Sequence, residues 1–144
     1  MTDLVQISDH LYRFEDTCNV YVVKDGENAL LIDAGSGAVR DRLDKIGACG
    51  IEWVLHTHHH RDQCGGDLAL IARGARIAVP EYERFLFEDA ELFWRTRRIF
   101  DNYDDRNTFS ACGADTPVAE TLDDHKEFEW RGHRFFVLPA KGHT

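Results

Sequence analysis

The stretch Leu55-His56-Thr57-His58-His59-His60-Arg61-Asp62-Gln63 brings four histidines and an aspartate together within eight residues. Neutral imidazole nitrogens and carboxylate oxygens are the usual ligands of catalytic zinc and iron in proteins. Alternate side chains of an extended loop point to the same side. We therefore expect His58, His60 and Asp62 to converge on one metal site. His59 should point away from it.

The segments around this stretch predict where in the fold it lies. Residues 51–55 are apolar except for Glu52 and predict a buried strand. A Gly-Gly pair and a helical pattern over residues 67–72 follow the histidines. The histidines thus occupy a loop at the end of a strand, where α/β folds commonly build their sites. Cys64 is either a small buried side chain at the loop-to-helix junction or a ligand or reactive thiol beside the metal.

The bulk properties of the chain limit its class. A chain of 144 residues has the length of one domain, and its formal net charge of −9 argues against nucleic acid or an anionic membrane as a partner. No apolar run approaches the roughly 20 residues of a membrane span, and the first residues lack a signal-peptide pattern. The four cysteines form no CxxC pair, which suggests reduced thiols. We expect a soluble, cytoplasmic protein.

Strand and helix patterns alternate along the chain. Four short strands are predicted first, and turn-forming pairs separate them. A helix over 38–46, the strand at 51–55, a helix near 66–73 and a strand at 76–79 follow. Pro80 is predicted to open a long helix reaching about Asp101, and 101–117 to form a loop. Two strands within 126–138 should make a hairpin. The sequence therefore predicts a single α/β domain over 1–144.

Three motifs, in this order and spacing, resemble those of the metallo-β-lactamase superfamily. They are a strand ending in an Asp-x-Gly turn, a T-H-x-H-x-D loop, and a strand followed by a G-H-T turn. In this chain they read Leu30-Leu31-Ile32-Asp33-Ala34-Gly35, Thr57-His58-His59-His60-Arg61-Asp62, and Phe135-Phe136-Val137-Leu138-Pro139-Ala140-Lys141-Gly142-His143-Thr144. The resemblance covers the whole chain.

The resemblance implies a fold and an extent. Members of this family form a four-layer α/β/β/α sandwich built from two similar halves, and this chain is similar to the N-terminal half, ending after the third motif. We therefore expect half of such a sandwich, a mixed sheet with helices on one face, and a truncated domain. One face of the sheet would then lack its partner layer. Two copies of the chain are expected to pair as a homodimer through that face.

The resemblance also implies a set of metal ligands. His58, His60 and His143 would hold a first metal, and Asp62 would hold a second metal or orient and deprotonate a water. The family loop normally ends H-x-H-x-D-H, whereas this chain has Gln63 in the last place, which could be a weak ligand or a substrate contact. Asp33 is expected either to orient the loop or an imidazole, or to cap the Gly35 turn. Zinc is the expected metal, with one or two ions per full domain, and iron or manganese next.

Two classes of function remain open from the sequence. The first is a metal-dependent hydrolase that attacks an ester, thioester, lactone or related bond of a small-molecule substrate with metal-bound hydroxide. The alternative is a non-catalytic binding protein of the same fold, or an inactive fragment. Flavin-linked diiron reductases are a weaker third possibility, since such relatives usually carry a glutamate at the place of His60.

Overall fold

The computed structural model describes residues 3–96 and 113–144, which form two sheets and several short helices. The strands are β1 (Val5–Gln6), β2 (Leu11–Glu15), β3 (Asn19–Asp25), β4 (Asn28–Ile32), β5 (Gly50–Leu55), β6 (Arg76–Pro80), β7 (Glu120–Leu122), β8 (Glu127–Trp130) and β9 (His133–Phe136). The α-helices are α1 (Arg61–Cys64), α2 (Asp67–Ile71), α3 (Arg84–Glu88) and α4 (Ala90–Thr96), and Ala38–Ile46 and Glu81–Glu83 are 3₁₀ helices.

Strands β1 to β7 form one mixed sheet in sequence order. Neighbours from β1 to β4 are antiparallel, and neighbours from β4 to β7 are parallel. The carboxyl ends of β4, β5 and β6 therefore meet at one edge of the sheet. Three segments leave this edge side by side: the turn that starts at Asp33, the histidine-rich loop, and the 3₁₀ helix Glu81–Glu83.

The sheet has a hydrophobic core on each face. Helices cover one face, where Leu31 and Val54 of the sheet pack with Leu70 and Phe87. The β8–β9 hairpin lies on the other face, and the Phe128 ring meets Trp53 edge-on at a centroid distance of 5.1 Å.

The mixed sheet with helices on one face is confirmed, and the hairpin covers part of the opposite face. Near the end of the hairpin, Phe136 and Leu138 remain 57% and 70% exposed. Pairing of two chains through this face stays a prediction, as do the single-domain boundaries and the truncation.

The long helix predicted from Pro80 to about Asp101 is wrong over its described part. Pro80 ends β6, and the chain then forms a 3₁₀ turn and two short helices that are interrupted at Asp89. Asp89 leaves the helical conformation, with φ −130° and ψ 88°, and its carboxylate accepts the Leu92 N–H at 3.1 Å, which caps α4. Apolar spacing alone does not locate such an internal cap. Residues 97–101 lie outside the described part.

Two other local predictions meet different outcomes, and one strand was missed. The predicted helix over 38–46 is helical but 3₁₀ in type. Strand β7 was not predicted, since residues 120–122 are too short and too polar to give a pattern. Most of the loop predicted over 101–117 falls outside the described residues.

No helix within residues 3–96 and 113–144 is both long enough and apolar enough to span a membrane.

Two glycine turns pack directly against each other beneath the histidine-rich loop. The Gly66 N–H donates to the Gly35 carbonyl at 2.8 Å, and a Cβ on Gly66 would lie 2.4 Å from the Gly37 nitrogen. Gly66 has φ −86°, so only space, and not backbone strain, excludes a side chain there. The contact holds the loop that follows β5 against the turn that follows β4.

We expect Gly66→Ala to lower the free energy of unfolding by about 1–3 kcal/mol, because backbone atoms must move to admit the methyl group. The measurement is chemical unfolding of the full chain. Gly50→Ala is the matched control, because its added Cβ meets nothing closer than 3.8 Å. Equal stability of the two variants would show that the turns do not pack as described.

Candidate metal centre

The loop after β5 is extended only as far as His60. His60 has an extended backbone, with φ −61° and ψ 144°, and α1 begins at Arg61. The predicted alternation of side chains therefore places His58 and His60 together, as expected, but it does not continue to Asp62. Asp62 lies instead in the first turn of α1, because helical geometry replaces the alternating one there.

Three imidazoles meet at the edge of the sheet. One ligand nitrogen from each of His58, His60 and His143 lies within 4.8 Å of the others. His143 comes from the turn after β9, more than eighty residues away in sequence from the other two. His58 and His60 are partly buried, whereas His143 is exposed. The structure thus brings together the three residues that the resemblance implies for a first metal.

A hydrogen-bonded relay fixes the orientation of the His58 ring. The Thr57 hydroxyl donates to Asp33 Oδ2 at 2.8 Å and lies 2.8 Å from His58 Nδ1. Since that hydroxyl gives its proton to Asp33, it accepts from His58, and Nδ1 therefore carries the ring proton. The lone pair of His58 is then on Nε2, which is buried and has no hydrogen-bond partner among the described residues. Such a nitrogen suits a metal ligand.

Asp33 contacts the loop rather than only the Gly35 turn. Its Oδ1 accepts the Thr57 N–H at 2.9 Å and lies 3.2 Å from His56 Nδ1. Asp33 is itself buried and has a left-handed backbone, with φ 60°. Of the two roles expected for Asp33, these contacts favour orientation of the loop.

His56 is a buried structural histidine and not part of the imidazole cluster. Its two ring nitrogens face Asp33 and Asp67, the latter at 2.8 Å. Burial lowers the pKa of His56, but the two carboxylates outweigh that effect and raise it to about 10. Asp67 was missed in the sequence, where an acidic residue at the start of a helix has the ordinary appearance of a surface group.

The two partly buried ligand candidates are held neutral. Burial lowers the pKa of His58, and burial together with the neighbouring imidazoles lowers the pKa of His60 to about 4. Neutral imidazoles are the form that binds metal, so the donor set and its protonation fit zinc.

Asp62 and Gln63 lie next to this cluster without joining it. The Gln63 side-chain amide donates to Asp62 Oδ2 at 3.1 Å, and Gln63 Oε1 is buried without a hydrogen-bond partner in the part of the chain that the structure describes. The Asp62 charge acts on both His58 and His60. Cys64 is buried, and its thiol donates to the His59 carbonyl at 3.4 Å, which agrees with the packing role and not with a ligand.

The mixed sheet thus carries three convergent imidazoles at the edge where its parallel strands end. The chain belongs to the metallo-β-lactamase superfamily, whose family model matches residues 13–144.

The chain is similar to known proteins over parts of their length. A hydroxyacylglutathione hydrolase of Synechococcus sp. (strain JA-3-3Ab) is 37% identical over 62 residues, which cover 42% of this chain and 25% of that protein. A class B3 di-zinc metallo-β-lactamase from an Alaskan soil metagenome has a TM-score of 0.77 at 15% identity, covering 99% of this chain and 53% of that one.

A metallo-β-lactamase of Cronobacter sakazakii, described by its HARLDQ motif, has a TM-score of 0.69 at 17% identity. The match covers 94% of this chain and 54% of that one. This chain therefore spans about half the length of these two structures and a quarter of the hydrolase.

The lowered pKa of His60 predicts a pH dependence of stability in the metal-free protein. An unfolded histidine takes up a proton near pH 6.5, whereas folded His60 resists protonation down to about pH 4. The unfolded state binds more protons in this interval, so stability from His60 is lost as pH falls from about 6.5 to about 4.

His60→Gln should flatten that slope in urea unfolding of the chelator-treated full chain between pH 4.5 and 7. His125→Gln, at an exposed histidine, is the control. If the stability of His60→Gln and of the parent chain changed equally with pH, His60 would not be the source of the pH dependence.

Proposed function

We propose that the protein is a zinc-dependent hydrolase that cleaves a thioester or a related ester of a small molecule. The observation that carries the proposal is the convergence of three imidazoles, one with a buried nitrogen that has no hydrogen-bond partner within residues 3–96 and 113–144. The name of the Synechococcus relative, a hydroxyacylglutathione hydrolase, favours a thioester over the other bonds.

His58, His60 and His143 would hold the metal, leaving a fourth position open. Zinc bound there would lower the pKa of a water molecule to about 7 and polarise the carbonyl under attack. The Asp33–Thr57 relay keeps the His58 lone pair directed at the cluster. Because the His58 ring is already oriented and neutral, it need not turn or give up a proton before it binds the ion.

Asp62 is proposed as the group that orients the attacking water and takes its proton. Its charge lies close enough to act on His58 and His60, and the hydrogen bond from Gln63 to Oδ2 restricts its orientation. A carboxylate is a suitable general base where it comes within hydrogen-bond distance of the nucleophile.

A second metal would require Asp62 and Gln63 together. Amide oxygen is a harder and weaker donor for zinc than imidazole, so we propose that the three-imidazole site fills first. The names of two similar proteins nevertheless support a second zinc ion as a possibility to test. The soil-metagenome enzyme is a di-zinc protein, and the HARLDQ motif of the Cronobacter protein ends in the same Asp-Gln pair as Asp62-Gln63.

The test combines metal content with turnover in the full chain. We expect at least one zinc per parent chain by elemental mass spectrometry, and release of free thiol from a hydroxyacylglutathione. His58→Ala with His60→Ala should lose the zinc and reduce hydrolysis to background, because two of three ligands are gone. His10→Ala with His125→Ala removes two exposed histidines and should change neither.

Stoichiometric zinc in the His58→Ala, His60→Ala double variant would overturn the site. Zinc in the parent chain without hydrolysis of thioester, ester or lactone would overturn the enzymatic proposal and leave the non-catalytic binding protein. A content of two zinc ions would show that a second site fills as well, for which Asp62 and Gln63 are the proposed ligands.

A further inference from the structure

Glu83 is a buried carboxylate that the proposed chemistry does not use. It ends the 3₁₀ helix that follows β6 and is only 2% exposed, whereas Glu81, two residues earlier on the same turn, is exposed. Burying a carboxylate is costly unless other groups compensate it. A group of this kind in a small domain calls for a reason beyond packing.

Glu83 contacts the two separate segments that carry the three imidazoles. Its Oε2 lies 3.5 Å from Nδ1 of His59, the fully buried residue between His58 and His60. Its Oε1 accepts a hydrogen bond from the hydroxyl of Thr144, the residue directly after His143. Burial raises the pKa of Glu83, but these two contacts outweigh it and hold that pKa below its usual range.

A neighbouring contact supports the same connection. The Lys141 ammonium lies 4.7 Å from the centre of the Tyr82 ring and 3.2 Å from Asp124 Oδ2. Tyr82 and Glu83 thus hold both ends of the short segment 141–144, with His143 inside it. The other two ligand candidates leave the sheet from β5, so the spacing of the three nitrogens depends on how this segment is fixed.

We propose that Glu83 is a positioning residue that fixes His143 relative to His58 and His60, and thereby sets the affinity of the site for zinc. The inference rests on the proposed function, since it concerns the same three-imidazole site. Glu83 acts through Thr144 on one side and through His59 on the other. Groups that hold metal ligands in this indirect way typically change metal affinity about 10-fold to 100-fold when they are removed.

The test is zinc affinity of the full chain, measured by competition with a chromophoric chelator. Glu83→Gln keeps the shape of the side chain but removes the charge, and we expect it to weaken zinc binding by about 10-fold to 100-fold. Glu81→Gln makes the same charge change at an exposed site and should leave the affinity unchanged. Cobalt binding gives a second readout, because its visible absorption bands should shift in Glu83→Gln and stay in Glu81→Gln.

Thr144 provides variants at an exposed site, which keep the test informative if Glu83→Gln does not fold. Thr144→Val should weaken zinc binding, whereas Thr144→Ser, which retains the hydroxyl, should bind zinc as tightly as the parent chain. The Glu83→Gln, Thr144→Val double variant should lose less than the sum of the two single losses, because the first change weakens the contact that the second removes.

Parent affinity in Glu83→Gln or in Thr144→Val would overturn the inference while leaving the metal site in place. A fall in the unfolding midpoint of metal-free Glu83→Gln with no change in zinc affinity would also overturn it, since Glu83 would then serve stability alone. Zinc affinity that depends on Glu83 in a chain without hydrolysis would support the inference and contradict the proposed function. Absence of zinc binding in the parent chain would overturn both.

Discussion

The arrangement of the site depends on the contacts that the buried carboxylate of Asp33 makes with the loop after β5. This carboxylate accepts hydrogen bonds from the backbone and hydroxyl of Thr57 and contacts the ring of His56, all in the loop after β5. The left-handed backbone of Asp33 costs about 1–3 kcal/mol. Hydrogen bonds to a charged group contribute about 1.5–3 kcal/mol each, so the contacts with the loop are sufficient to offset that strain. The strand end and the loop thus stabilise each other.

The four clustered histidines divide into two pairs with different environments. His58 and His60 point to the same place, where His143 joins them. His56 and His59 are fully buried, and each faces a carboxylate: Asp33 and Asp67 for the first, Glu83 for the second. The crowding of imidazoles in this sequence therefore combines two ligand candidates with two residues that anchor the loop beneath them.

Much of this arrangement follows from sequence, because its causes are local or periodic. The strands β2 to β6 have clear apolar patterns, and the loop geometry that pairs His58 with His60 needs only an extended backbone. The position of His143 was implied by resemblance to a family, since no local pattern reports a contact across more than eighty residues.

The features that could not be predicted from the sequence depend on tertiary contacts. Asp89 interrupts a helical pattern through a cap, and α1 begins one residue before Asp62, so both depend on hydrogen bonds rather than on apolar spacing. Asp67 and Glu83 have the sequence appearance of solvated acids, and only the packing around them shows that they are buried partners of histidines.

The most direct test of the account is the protonation of the His58 ring in the metal-free full chain, measured by nitrogen-15 NMR of the imidazole nitrogens. The Asp33–Thr57 relay predicts a proton on Nδ1 and a free lone pair on Nε2, and Thr57→Val should abolish that preference. A proton on Nε2 in the parent chain would mean that the relay does not direct His58 toward a metal, and would contradict the central claim.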